Sequence, residues 1–240
     1  MLRMESTEHH VGIRLAGDYD ELERLYEALH AVVGTEFEYD DYEASRLRVL
    51  GVCYDLRHAM MGDRGAVALP NGYSRDIGKF LNRIGPDKNM YFTCEMLWPE
   101  AIFIMLALDD FIHLYERKMK THVWDLTVMT VRSFQSAIAN CLEKTIPATK
   151  FNNAKRYFKS YAPGKYNRFT TMYVDDLNIT HLEMTPEKRV NQLSILVKRL
   201  ADFPDEYYHL HHQVLESARR HNCHPTDLRY NREYPEDWEW

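Results

Sequence analysis

Met90-Tyr-Phe-Thr-Cys-Glu-Met-Leu97 runs directly into Trp98-Pro-Glu-Ala-Ile-Phe-Ile-Met-Leu-Ala-Leu108, and this stretch decides the fold. Its first eight residues are rich in aromatic and apolar side chains bounded by polar sequence, and they read as a strand. Trp98-Pro99-Glu100 then opens a helix. Proline suits the first helical position, where an N–H would have no partner, and glutamate complements the positive end of the helix dipole. From Ala101 to Leu108 every residue is apolar. No side of that helix is left for water, so it is the central buried one. Its continuation, Asp109 to Lys120, is amphipathic.

Working outward, His10-Val-Gly-Ile-Arg-Leu-Ala16 alternates as a strand does, and Gly17-Asp18 ends it with a residue able to cap the next helix. Leu22, Leu25, Tyr26, Leu29 and Val33 recur at helical spacing until Gly34. A second helix carries Leu47, Leu50, Tyr54 and Met61 on one side. Ala66 to Leu69 is a short strand before the Pro70-Asn-Gly72 turn, and residues 73–88 have no decisive pattern. Downstream, Val123 to Thr145 predicts a helix with Trp124, Val128, Val131, Ile138 and Leu142 facing one way. Lys150 to Ser160 predicts a shorter basic helix, broken at Ala162-Pro-Gly164. Phe169–Val174 and Ile179–Met184 are expected to pair as a hairpin across Asp175-Asp-Leu-Asn178, and two further helices follow from Pro186 and Pro204. The expected fold is α+β: a small, mostly antiparallel sheet in the N-terminal half covered by helices, and a mainly helical C-terminal half. Residues 1–240 are expected to form one domain, with any subdivision falling between an α+β part, 1–120, and a helical part, 121–240.

A chain of 240 residues can bury a core without disulfides. Cys53, Cys94, Cys141 and Cys223 stand far apart, in no metal-type or redox-type spacing, and read as reduced thiols. The longest apolar run is eight residues, against roughly 20 needed to cross a bilayer. Met1-Leu-Arg-Met-Glu5 lacks the apolar stretch of a signal peptide. A cytoplasmic protein without a membrane partner is therefore expected. Gly-x-Gly-x-x-Gly, Walker and Gly-x-Ser-x-Gly patterns are absent, which disfavours nucleotide-dependent and α/β-hydrolase chemistry.

The net charge of −6 conceals a segregation. Residues 1–100 carry 18 acidic and 11 basic side chains, residues 117–168 carry two and 11, and residues 169–240 carry 13 and eight. Lys144 to Tyr173 contains no acid at all. Within it, Lys150, Lys155, Arg156, Lys159, Lys165 and Arg168 alternate with Tyr157, Tyr161 and Tyr166. Cations neutralise phosphates and aromatic faces stack on unpaired bases, so this segment is the expected site for an anionic partner, nucleic acid or an acidic protein surface. The alternative is a solvated basic face over aromatic core residues.

Three other sets carry weaker signals. His209, His212 and Glu216, with Asp205, share one stripe of a helix and offer donors for a divalent metal. Arg46, Arg48, Asp55, Arg57 and His58 read as an ion-pair network or an anion site. Glu233-Tyr-Pro-Glu-Asp-Trp-Glu-Trp240 is an acidic, aromatic tail that either docks on the core rim or lies over the basic segment.

Gly17-Asp-Tyr-Asp-Glu-Leu-Glu-Arg-Leu-Tyr26, Arg46-Leu-Arg-Val-Leu-Gly-Val-Cys-Tyr-Asp-Leu-Arg-His58 and Leu97-Trp-Pro-Glu-Ala101 together resemble an uncharacterised family of intracellular proteins from Gram-positive bacteria. The resemblance covers roughly the first half of the chain. It implies a bacterial cytoplasmic setting and brings no activity and no site residues. The expected function is a non-enzymatic binding or regulatory protein that needs no cofactor and recognises an anionic macromolecule. The alternatives are a divalent-metal hydrolase or nuclease built on the histidine stripe, and a homo-oligomeric assembly subunit.

Overall fold

A computed structural model describes residues 2–159 and 164–240. Its sheet has the order β1 (Arg3–Ser6), β2 (Gly12–Gly17), β4 (Lys88–Leu97), β3 (Gly65–Pro70), and every pairing is antiparallel. β4 is the longest strand and contains the residues 90–97 that read as a strand from the sequence. Leu15 sits opposite Cys94 and Ile13 opposite Met96, and these buried side chains give the sheet an apolar face.

Helices cover that face. α1 (Tyr19–Val33) begins in a capping box: Asp18 accepts from the Glu21 N–H at 2.9 Å and Glu21 accepts from the Asp18 N–H at 3.2 Å. α2 (Glu43–Met60) follows, then α3 (Arg75–Leu81) in the β3–β4 excursion. α4 (Trp98–Met119) is buried at Trp98 and Pro99 and from Ala101 to Leu108, and forms the centre of the molecule. The remaining helices are α5 (Leu126–Thr145), α6 (Ala148–Ala154), α7 (Met172–Leu182), α8 (Pro186–Asp202) and α9 (Asp205–His221). α4 packs on α1, α5, α7 and α8, so one hydrophobic core runs from Met4 to Tyr207. The fold is α+β, with its sheet in the N-terminal half and helices thereafter.

Three expectations are corrected. The hairpin expected over residues 169–184 is helix α7. Tyr173, Val174, Leu177, Ile179 and Leu182 are all buried, and a short segment buried on most sides loses the polar punctuation that distinguishes helix from strand. On the Leu47–Leu50–Tyr54–Met61 side, Leu47, Tyr54 and Met61 are exposed and Leu50 packs on the core rim; Val49, Val52, Cys53, Leu56 and Ala59 make the buried side of α2. Trp124 precedes α5 and is 78% exposed.

The loop leading into α7 is fixed by one buried carboxylate. Asp110 of α4 accepts from the Gly164 N–H at 3.1 Å and the Tyr166 N–H at 2.8 Å. Burial raises its pKa above the usual carboxylate range, and those two amides oppose the rise.

Candidate functional site

After the turn Pro225–Asp227 the chain runs without regular structure to Trp240. Leu228, Tyr230 and Arg232 are half-buried while Arg229, Asn231 and Glu233 are exposed, the two-residue period of an extended strap. The strap lies on α7. The Tyr230 hydroxyl donates to Asp176 Oδ1 at 2.8 Å. Arg232 donates to Asp176 at 2.6 Å, to Thr180 at 3.2 Å and to both oxygens of Glu183 at 3.0 and 2.9 Å. Asp176, Thr180 and Glu183 stand four and seven apart, on one helix face. The Tyr234 hydroxyl donates to Asp175 Oδ1 at 3.0 Å and accepts from Asn178 Nδ2 at 3.2 Å.

Beneath the strap lies Arg48. Its guanidinium donates to Glu100 at 2.9 Å, to Asp175 Oδ2 at 2.5 Å and to the Thr171 carbonyl at 3.0 Å. Asn178 completes the set with a 3.3 Å bond to Glu100. One cation thus ties α2, α4 and α7 together under Tyr234. Burial opposes the Arg48 charge, but Glu100 and Asp175 outweigh it and hold the group protonated. Burial raises the Glu100 carboxyl, and Arg48 counters the rise. The Tyr234 hydroxyl is pushed up to about 12 by burial and by the Asp175 charge.

A cavity of about 870 Å³ opens beside this cluster. Leu47, Met172, Val214, Leu215 and Leu228 give apolar walls, Arg48 and Asp175 line it from the cluster, and Tyr230 and Tyr234 line it from the strap. Asp40, Asp41, Glu43, Arg168, Arg229 and Glu233 add charge of both signs. His211 lines it too, its Nδ1 paired with Thr170 Oγ1 at 2.6 Å. A second cavity of about 610 Å³ shares Arg48 and Tyr234 with the first and extends to Tyr54, Glu95, Glu100 and Trp240. Volumes of this order suit small organic ligands.

The expected basic-aromatic surface is divided by the fold. Tyr166 is 3% exposed, and its hydroxyl donates to the Leu200 carbonyl at 3.0 Å, so its ring cannot stack on a base. Tyr157 is half-buried against the core. Lys165 lies over the Phe203 ring, 5.5 Å from its centre, and burial lowers its pKa. Arg168 pairs with Asp41 at 2.8 Å and lines the large cavity. Lys150 reaches Asn191 at 2.6 Å. Lys155 and Arg156 are exposed, as is Lys144. The Lys159 side chain and Tyr161 lie outside the described residues.

The histidine stripe does not converge. His209 contacts Gln213 at 3.0 Å, and His212 stands 3.8 Å from Glu216 with both side chains largely in solvent. Residues seven apart are separated by about 10 Å along a helix, too far to share one ion. Among the described residues no group of three or more His, Cys, Asp or Glu side chains is placed to hold a metal.

The tail makes its polar contacts with α7 and, through Glu239 at 3.4 Å, with His9. Within the chain its Tyr and Arg residues dock on acids, and Glu233, Glu236, Asp237 and Glu239 face solvent; it does not lie over Lys144–Arg156. Arg48 was legible as an ion-pair residue. Glu100 read only as a helix-start acid, and Asp175 and Asn178 read as turn residues of a hairpin that does not form.

A family model described as Domain of unknown function (DUF6904) matches residues 2–240. No curated protein and no solved structure matches the chain.

Proposed function

We propose that the chain, which belongs to the DUF6904 family, is a non-enzymatic binding protein whose ligand is an amphipathic small molecule held in the strap-covered cavity. The observation that carries this reading is the 870 Å³ space with apolar walls beside a charge-paired cluster. Leu47 is 50% exposed there, apolar surface that an occupant with an apolar body would remove from water. Acids and bases share the lining, which favours a zwitterionic or uncharged ligand over a polyanion. Arg48, Asp175 and Tyr234 commit their hydrogen bonds within the cluster they form with Glu100, Thr171 and Asn178, which supports positioning and binding rather than proton transfer. A cytoplasmic, bacterial setting belongs to the same proposal; four free cysteines, three of them buried, fit a reducing compartment. The test is titration with an amphipathic anilinonaphthalene probe. Binding by the natural protein that is lost on Leu47→Trp, which fills the space from an exposed position, supports the reading; equal binding by both contradicts it.

A second reading keeps the anionic macromolecule. Lys144, Lys155 and Arg156 are exposed and, among the described residues, none of them is in an ion pair. Binding of a single-stranded oligonucleotide that weakens steeply with salt and with Lys155→Glu supports it.

A further inference from the structure

Residues 65–90 leave the body as an arm. β3 is an outer strand, and all of it but Leu69 is exposed. In the excursion beyond it, polar groups bond to one another. The Asn71 side chain accepts from the Tyr73 N–H at 2.9 Å and donates to the Pro86 carbonyl at 3.0 Å. The Tyr73 hydroxyl donates to the Arg83 carbonyl at 2.5 Å, and Ser74 caps the Ile77 N–H at 3.2 Å. Gly78 passes under that hydroxyl, where a Cβ would lie 2.1 Å from the oxygen. This scaffold holds Ile77, Phe80, Leu81 and Ile84 outward at offsets of three, four and seven. Phe80 is 89% exposed and Ile84 105%. Apolar groups presented to water by an ordered hydrogen-bonded frame mark an interaction surface.

The two edges of the sheet differ in kind. β1 carries Arg3 and Glu5 and is packed by α5. β3, Gly65-Ala-Val-Ala-Leu-Pro70, has no charge at all, so its edge is left open to another strand. We propose that β3 pairs antiparallel with β3 of a second copy of this chain, doubling the four-stranded sheet across a twofold axis at Val67.

The sequence is self-complementary about that residue. Ala66 of one copy comes opposite Ala68 of the other, and Gly65 opposite Leu69, which matches small residues to small or large ones. Arg64 comes opposite Pro70 and Asp63 opposite Asn71, so no like charges meet, and Arg64 is already held by Asp55 at 2.7 Å. The same register brings each arm to the end of the other copy's α2, where Met61 is 67% exposed and adds apolar surface for the arm's side chains. Beside its main-chain groups the strand edge carries the exposed apolar side chains of Val67 and Met90, with Ile77, Phe80, Leu81 and Ile84 on the arm, surface that an interface removes from water.

Light scattering on the purified full chain tests this. The proposal requires a particle of twice 28.5 kDa at moderate concentration. It requires Val67→Lys, which sets like charges across the twofold, to weaken dimerisation by at least about tenfold with unchanged circular dichroism. Should Val67→Lys fail to fold, Phe80→Lys at the arm tip takes its place with the same expectation. In a Cys223→Ser background, Val67→Cys is expected to cross-link on oxidation and Gly65→Cys is not, because only residue 67 faces itself. A natural protein that stays monomeric at every concentration overturns the proposal, as does a dimer that survives the lysine substitutions or fails to cross-link at Val67→Cys.

Discussion

Arg48 and Tyr234 bond the two oxygens of one carboxylate: Arg48 donates to Asp175 Oδ2 at 2.5 Å and Tyr234 donates to Oδ1 at 3.0 Å. Asp175 is therefore the joint between the body and its C-terminal strap. The body side of the joint is a largely buried ion cluster, in which removing one partner strands the others.

Arg48→Met is expected to destabilise the fold by about 3–5 kcal/mol, because Glu100 and Asp175 would be left as neighbouring acids with no counter-ion. Urea unfolding measures this. Adding Glu100→Gln to Arg48→Met is expected to cost less than the two single changes summed, because the two groups are in contact. Additive costs would show that the cluster is not coupled.

Tyr234→Phe removes the strap's bond to Asp175 and its acceptor for Asn178. The expected loss is about 1 kcal/mol, confined to the strap. Hydrogen exchange across residues 228–240 should accelerate while α4 stays protected. Uniform acceleration of both regions would mean that the strap is an integral part of the core.

His181 gives the stability a defined pH dependence. Its Nε2 is 3.0 Å from the His10 carbonyl, and burial lowers its pKa to about 4. The folded state keeps it neutral while the unfolded chain protonates it below its ordinary value of 6.5. Its contribution is complete above that value and is lost as pH falls toward 4, at a rate approaching 1.4 kcal/mol per pH unit. Urea midpoints between pH 7.5 and 5 should fall less for His181→Gln than for the natural protein.

Cysteine reactivity follows burial. Cys53 and Cys94 are pushed up to about 12 and Cys141 to about 11, chiefly by desolvation, whereas Cys223 is part-exposed. A thiol reagent at neutral pH is expected to titrate one cysteine quickly and the other three only on unfolding.

Much of the fold was legible because local and global signals agree in it. The 90–108 stretch carries a strand pattern, a helix-start proline and an all-apolar run in the order the structure uses them. Asp18 likewise announces α1 and caps it. The site was less legible because its parts converge only in three dimensions. Glu100 has an adequate local reason at a helix start, so nothing in the sequence signals that it also meets Arg48. α7 hides its acids within an apolar, β-branched segment that reads equally well as strand. The basic segment is only partly legible for a related reason: tyrosines such as Tyr166 serve the core, and linear spacing does not separate a core ring from a stacking one.

On the proposed function, the strap-covered cavity holds an amphipathic small molecule. Native mass spectrometry of the protein after incubation with a bacterial small-molecule extract tests it most directly. The expected result is a stoichiometric adduct of a few hundred daltons, a size suited to a cavity of this class, that is absent from Leu47→Trp. An adduct held equally by both proteins, or no adduct with either, would contradict it.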